Sequence, residues 1–365
     1  MSAAAATPDP APPPSLRAGL ALALAAFALA AGLSALRVGH GAPDFYVFWA
    51  AARHAGAPYD PAIVSQLLAR IHLTGVWPFA YPPTFLLFVW PFAQAPMEVA
   101  YPLWTGLSAA LFVFAAAQLV RPAWASAALF VAPPVFMAAE LGQTSLPIGA
   151  AMIGGFAALE RRPRLAGVLF ALAACIKPQA MIVAPIVLWG RGRTLGWMLC
   201  AGAAIVAASL VFGLAPWLQW PQALAEFRAI APAADRANPS ALISSAWWAV
   251  LMGVAGGAFA WKSRNLLGLV GGAFLVTPYA HGYDLAPIAP LALAWLIRPR
   301  QAGVGHAAAG GALLAGLVAT PAASLAFFAW LAALQSTALK SLLPRGEKVA
   351  AQRPDEGAAG GGQIA

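Results

Sequence analysis

Charge is what this chain has least of. Only 9% of its 365 residues are Asp, Glu, Lys or Arg, and just 12 are acidic. Soluble domains carry about a quarter charged residues, so a water-facing globule is excluded. Cysteine is scarce as well. Cys175 and Cys200 both lie inside apolar runs, which argues against a structural disulfide and leaves no cysteine spacing that fits zinc. Several chemical signatures are missing altogether: a Walker glycine loop, a Rossmann fingerprint, a metal-binding histidine pair, a Gly-x-Ser-x-Gly elbow and an Asp-x-Asp pair. Their absence disfavours a soluble nucleotide-sugar donor, and no metal or other cofactor is implied.

Apolar sequence is what the chain has in abundance. It is 61% hydrophobic, with 14 Trp, 19 Phe and a mean hydropathy of +0.75. Many apolar windows approach the ~20 residues that cross a ~30 Å hydrocarbon core. They are Ala/Leu/Val/Gly runs without strand alternation, so helices rather than a barrel satisfy the backbone in lipid. The expected fold is all-α and polytopic. Residues 16–36 are long enough to span, which favours a first crossing over a cleaved leader. Segments 1–15 and 344–365 are expected to be disordered cytoplasmic tails around one membrane domain, 16–343.

The net charge of +9 could suggest nucleic acid, but its placement says otherwise. Arg161, Arg162, Arg164, Arg191, Arg193, Lys262, Arg264, Arg298 and Arg300 all fall in short gaps between apolar runs. That is the positive-inside pattern of cytoplasmic loops. Taking those gaps as internal, the second half alternates through 194–215, 241–261, 264–278, 283–297, 304–320 and 322–340. The apolar stretch between Arg164 and Arg191 has internal flanks and is broken at Lys177-Pro178, so it reads as a two-helix hairpin with Lys177 at its external turn. Earlier, 100–120, 122–139 and 144–159 are expected to cross while the proline-rich 79–95 does not. The count is about twelve crossings. A long external loop, 37–77, should hold a helix near Asp44–Ala55 and an amphipathic interfacial helix over 63–73, where Ile63, Leu67, Leu68 and Ile71 share a face.

Several short motifs then line up in order. They are Asp44-Phe45-Tyr46 followed by Trp49-Ala50, then Pro58-Tyr59-Asp60, Tyr81-Pro82-Pro83-Thr84-Phe85 and Gly142-Gln143-Thr144-Ser145. Ala166-Gly167 through Cys175-Ile176-Lys177-Pro178-Gln179 follows, and Thr277-Pro278-Tyr279 with Tyr283-Asp284 completes the set. In this the chain resembles glycosyltransferase family 87, the mannosyltransferase-like membrane proteins of C-type fold, over about residues 16–300. The resemblance implies an external interfacial active site facing the periplasm of a plasma (inner) membrane protein. It also implies a polyprenyl-phosphate sugar donor, a glycolipid or glycan acceptor, membrane lipids around the site, and no nucleic acid. Asp44 takes the place of the family's acceptor-activating acid. Only His281 stands where related mannosyltransferases carry several histidines.

Each candidate has an ordinary reading beside the functional one. Asp44, among Phe45, Tyr46 and Trp49, suits a general base and equally an N-cap. Lys177 suits a phosphate ligand or a snorkelling lysine. Gln143 suits a sugar hydroxyl or a helix cap, and Asp284 a substrate contact or a cap of 285–297. His281 suits a leaving phosphate or the surface, while Tyr81 belongs either to the substrate site or to a rigid entry in the aromatic belt. The competing function is a polytopic transporter or lipid-intermediate flippase. Acids clustered at one face, with helix middles almost free of charge, favour surface chemistry over a translocation path.

Overall fold

The computed structural model describes residues 16–38, 44–69, 78–230 and 236–335. Among these residues the protein is wholly helical. The expected tails, His72, Trp77 and the last residues of the 63–73 helix lie outside them. The helices run in order as α1 (Leu16–Arg37), α2 (Asp44–Arg53), α3 (Pro61–Ala69), α4 (Pro83–Ala93), α5 (Met97–Ala116), α6 (Pro133–Glu140), α7 (Ser145–Ala158) and α8 (Pro163–Ile176). They continue as α9 (Ala184–Val187), α10 (Gly192–Ser209), α11 (Ala215–Ile230), α12 (Ala246–Ser263), α13 (Leu266–Val276), α14 (Ala289–Ile297), α15 (Pro299–Ala302), α16 (Val304–Leu314) and α17 (Pro321–Leu334).

Three helical stretches are long and apolar enough to cross a bilayer: 16–37, 97–116 and 192–212. A fourth appears if the 3₁₀ segment Ala123–Val131 and α6 count as one span bent by 70°. The straight crossing expected over 122–139 is therefore two pieces, because Pro133 and Pro134 start a new helix where the old one would continue. Other apolar helices are shorter; α4 has eleven residues, about 16 Å of rise. The second arm of the hairpin after Lys177 is likewise irregular, a 3₁₀ turn at Pro178–Met181 followed by the single turn of α9. The stretch between the expected crossings 194–215 and 241–261 contains the sixteen-residue α11.

The outward faces of α1, α10 and α12 expose Leu20, Leu24, Leu199, Trp247, Val250 and Val254. In water that surface would be untenable; in a bilayer it meets acyl chains. This is a membrane protein. Its inner contacts use small residues: a Cβ on Gly256 of α12 would lie 2.7 Å from the Gly272 carbonyl oxygen of α13, so the two backbones touch as lipid-embedded helices commonly do. Capping is conventional. Ser245 accepts from Trp248 N at 3.1 Å and Asn265 from Gly268 N at 3.1 Å, satisfying donors that the first turns of α12 and α13 leave open.

Candidate active site

The site is built on the turn between α6 and α7. Gly142 has φ +61°, and a Cβ there would stand 2.6 Å from Phe45 Cβ, so only glycine fits the turn. Phe45 N donates to Leu141 O at 3.1 Å and Trp104 Nε1 to Gly142 O at 2.8 Å. The Phe45 ring stacks on Tyr101 and Trp104, with centroids 5.9 and 5.6 Å apart. Backbone bonds and aromatic packing thus hold the start of α2 against the 141–144 turn, which sets Asp44 beside Gln143.

Gln143 is the hub. Its amide donates to Asp44 Oδ2 and to the Tyr283 hydroxyl, the latter at 3.1 Å. Its carbonyl oxygen accepts from the Tyr81 hydroxyl at 3.1 Å, and that hydroxyl also shares a 3.0 Å bond with Thr144 Oγ1. Thr144 is the N-cap residue of α7 but makes no side-chain cap bond; its hydroxyl serves this network instead. Tyr81 is fixed by Phe85 and Phe48 at 4.6 and 4.8 Å, and its carbonyl accepts from Tyr59 at 2.7 Å. Burial pushes the Tyr81 phenol well above its ordinary pKa, so it stays protonated and donates.

Lys177 follows the last residue of α8, where Pro178 turns the chain out of the helix. Its ammonium meets Asp284 Oδ1 at 2.5 Å, and both side chains are largely buried, 10% and 14% exposed. It also lies 5.9 Å from the Tyr283 ring centroid. The Asp284 carboxylate has two further donors, Ser145 Oγ at 3.1 Å and His281 N at 3.1 Å. It therefore does cap, but the start of the 3₁₀ turn Gly282–Ile288 rather than a helix over 285–297. Such extra bonds are what make a buried ion pair tolerable. His281 stacks on Tyr283 at 4.8 Å, and its Nε2 is 2.6 Å from the Tyr279 hydroxyl.

All six candidates, Asp44, Tyr81, Gln143, Lys177, His281 and Asp284, thus belong to one connected group drawn from five separate stretches of chain. Beside it lies a small cavity of about 40 Å³, open on one side. Lys177, Asp284, Ser145 and Tyr279 contribute its polar wall, and Ile148, Met152, Val270 and Phe274 are among the apolar residues opposite. Asp44 does not line that cavity; it is joined to it through Gln143 and Tyr283. Burial raises the Asp44 pKa, which the bond from Gln143 and the charge of Lys177 partly offset while the charge of Asp284 adds to the rise. A carboxylate withdrawn from water in this way is a stronger base than a solvated one.

Sequence reasoning placed Thr144, Ser145 and Tyr283 in motifs without giving them a site role, and it did not single out Asn238. Asn238 is fully buried and holds the 277–281 turn: its carbonyl oxygen accepts from Ala280 N at 3.0 Å, and its amide donates to Thr277 O. One signal was available. The chain has six tyrosines, and all of them, Tyr46, Tyr59, Tyr81, Tyr101, Tyr279 and Tyr283, fall in this one web of hydroxyl bonds and ring contacts. Helix α11 lies across the rim. Trp220 Nε1 donates to Ala80 O at 3.1 Å, beside Tyr81, and Phe227 packs on Tyr279 at 4.9 Å.

No curated protein and no solved structure matches the chain. A sequence model described as glycosyltransferase family 87 matches residues 79–299. The match takes in Tyr81, Gln143, Lys177, His281 and Asp284 but stops short of Asp44, whose place in the group rests on the geometry alone. Since it covers more than half of the 365 residues, the chain belongs to glycosyltransferase family 87.

Proposed function

We propose that the protein transfers a hexose, mannose-like, from a polyprenyl-phosphate sugar to a glycolipid or glycan acceptor at the outer face of the plasma membrane. The observation that carries this reading is the link between a half-buried carboxylate, Asp44, and a buried ammonium, Lys177, through Gln143 and Tyr283. Asp44 takes the proton from the acceptor hydroxyl as its oxygen bonds to the anomeric carbon. The bond from that carbon to the phosphate oxygen breaks, and the phosphate leaves with the electron pair, held by Lys177. Gln143 and Tyr81 orient the sugar, and His281 stands beside the leaving group. The apolar walls of the cavity suit a prenyl chain.

The topology of about twelve crossings, with residues 44, 143, 177 and 281 outside and 162, 192, 263 and 299 inside, is part of the same reading. It is supported by the basic gaps and by the gathering of the six candidates in one place. Single-cysteine labelling with an impermeant reagent, after replacement of Cys175 and Cys200, tests it; labelling of position 162 from outside would reverse it. Donor class is tested by offering the purified protein polyprenyl-phosphate hexoses and nucleotide hexoses side by side. Transfer is expected from the lipid-linked sugars only, and equal transfer from a nucleotide sugar would overturn the proposal.

A further inference from the structure

Lys177 is not waiting with an open ammonium. It is held at 2.5 Å by Asp284, and Asp284 is itself held by Ser145 Oγ and His281 N, each at 3.1 Å. The asymmetry between the two partners matters. If Lys177 swings away, Asp284 keeps two donors and remains satisfied in place; if Asp284 were to leave, the buried ammonium would keep no anionic neighbour at hydrogen-bond distance among the described residues. A lysine side chain has four rotatable bonds, whereas the Asp284 carboxylate is fixed by a backbone amide and by a hydroxyl on the first residue of α7. Both residues line the cavity, so an anion entering it meets the pair directly.

We propose that Asp284 is the resting counter-ion of Lys177 and that phosphate binding is an exchange, in which the ammonium passes from Asp284 to the phosphate and returns when the product phosphate departs. This rests on Lys177 being the phosphate ligand, as argued above. It changes what Asp284 is for. The residue is a positioning residue acting through Lys177; it neutralises the ammonium while the site is empty and competes with the phosphate, which limits how tightly the prenyl-phosphate product is retained. Removing its charge should therefore strengthen phosphate binding, the reverse of what loss of a substrate contact or of a structural prop would do.

The experiment measures binding of geranylgeranyl phosphate to the full-length protein in detergent, with geranylgeraniol and inorganic phosphate as separate arms. Asp284→Asn is expected to bind geranylgeranyl phosphate about tenfold tighter, a coupling usual for charges in contact, and to leave geranylgeraniol unchanged. In a Lys177→Met background the same substitution should have no effect. Turnover should split accordingly, with KM and kcat both falling as product is retained. Ser145→Ala works in the opposite direction: with one donor fewer, Asp284 grips Lys177 harder and phosphate binds several-fold more weakly. That variant carries the test should Asp284→Asn fail to fold. An Asp284→Asn protein that binds the lipid phosphate no tighter, or a gain that persists without Lys177, overturns the exchange. The same gain with inorganic phosphate alone would assign the exchange to a free anion and overturn its lipid-linked form. Wild-type protein that ignores geranylgeranyl phosphate would sink the donor assignment as well, so the two failures are distinguishable.

Discussion

The two ends of α8 each carry one ion pair, and they have little else in common. At one end Lys177 meets Asp284, with side chains 10% and 14% exposed, inside a group of tyrosines, a glutamine and a histidine. At the other, Glu160 meets Arg191 with side chains 76% and 34% exposed. The helix between them has fourteen residues, about 21 Å of rise. Chemically the pairs are alike, yet their energetics are not. An exposed pair gains little because water competes for both ions, whereas a buried pair has been stripped of water and persists only where other bonds support it. A protein with 12 acidic residues that buries one beside a lysine has placed it where desolvation sharpens electrostatics. The exposed pair stands in water on a turn, whereas the buried one sits in the proposed site.

The strongest way to sharpen the contrast is to remove the base from the buried end. Asp44→Asn keeps the shape of the side chain and can still meet Gln143, but it cannot take a proton. Transfer is expected to fall by roughly 10²–10⁴-fold, with protein yield and donor binding little changed. In the wild type, kcat/KM should fall on the acid side at a pH above the ordinary aspartate range. The direction follows because burial raises the Asp44 pKa and only the ionised form accepts the proton. That limb should disappear from the residual activity of Asp44→Asn. An unchanged rate would make Asp44 a helix-start residue and nothing more.

Breaking the buried pair comes next. Lys177→Met removes the cation from Asp284 but leaves it the donors Ser145 and His281, so the cost should be about 1–2 kcal/mol of stability, together with a large rise in donor KM. Asp284→Asn in the same chain should return much of the stability but not the donor affinity, a separation read by thermal unfolding and initial rates on the same three proteins. Gly142→Ala is an indirect blow. The new methyl collides with Phe45 at a backbone of φ +61°, and about 2 kcal/mol of destabilisation is expected, with Asp44 and Gln143 pushed apart. Activity that falls no more than the folded fraction would show the turn to be structural only.

The contrast also marks what could be read from residues alone. The basic gaps, the apolar windows and the break at Lys177-Pro178 are local patterns, and they gave an all-helical membrane chain and a set of polar residues to watch. Polar groups in apolar sequence are conspicuous, which is why Asp44, Gln143 and Lys177 stood out. What was hidden is relational. Nothing near Asp284 in the chain says that its carboxylate faces Lys177 rather than solvent. Ser145, Thr144 and Asn238 look like ordinary cap residues until the backbone brings Asp284, Tyr81 and Ala280 to them. The 70° bend before α6 and the helical course of α11 were missed because proline and tryptophan clusters suit a loop and a broken helix equally well.

The smallest effect belongs to the exposed end, and it guards the whole comparison. Glu160→Gln removes one charge of the pair with Arg191 while preserving side-chain size in the turn between α7 and α8. Glu160 is 76% exposed at its side chain, so the charge it loses was already solvated. Stability should change by no more than about 0.5 kcal/mol, and less at high salt, where an exposed pair is screened. Transfer rate and donor KM should match the wild type, since about 21 Å of helix separates this pair from Lys177. Thermal unfolding at low and high salt, with kinetics alongside, checks this. If Glu160→Gln impaired transfer as Lys177→Met is expected to, burial would not be what distinguishes the two ends, and α8 would have to transmit a change along its length.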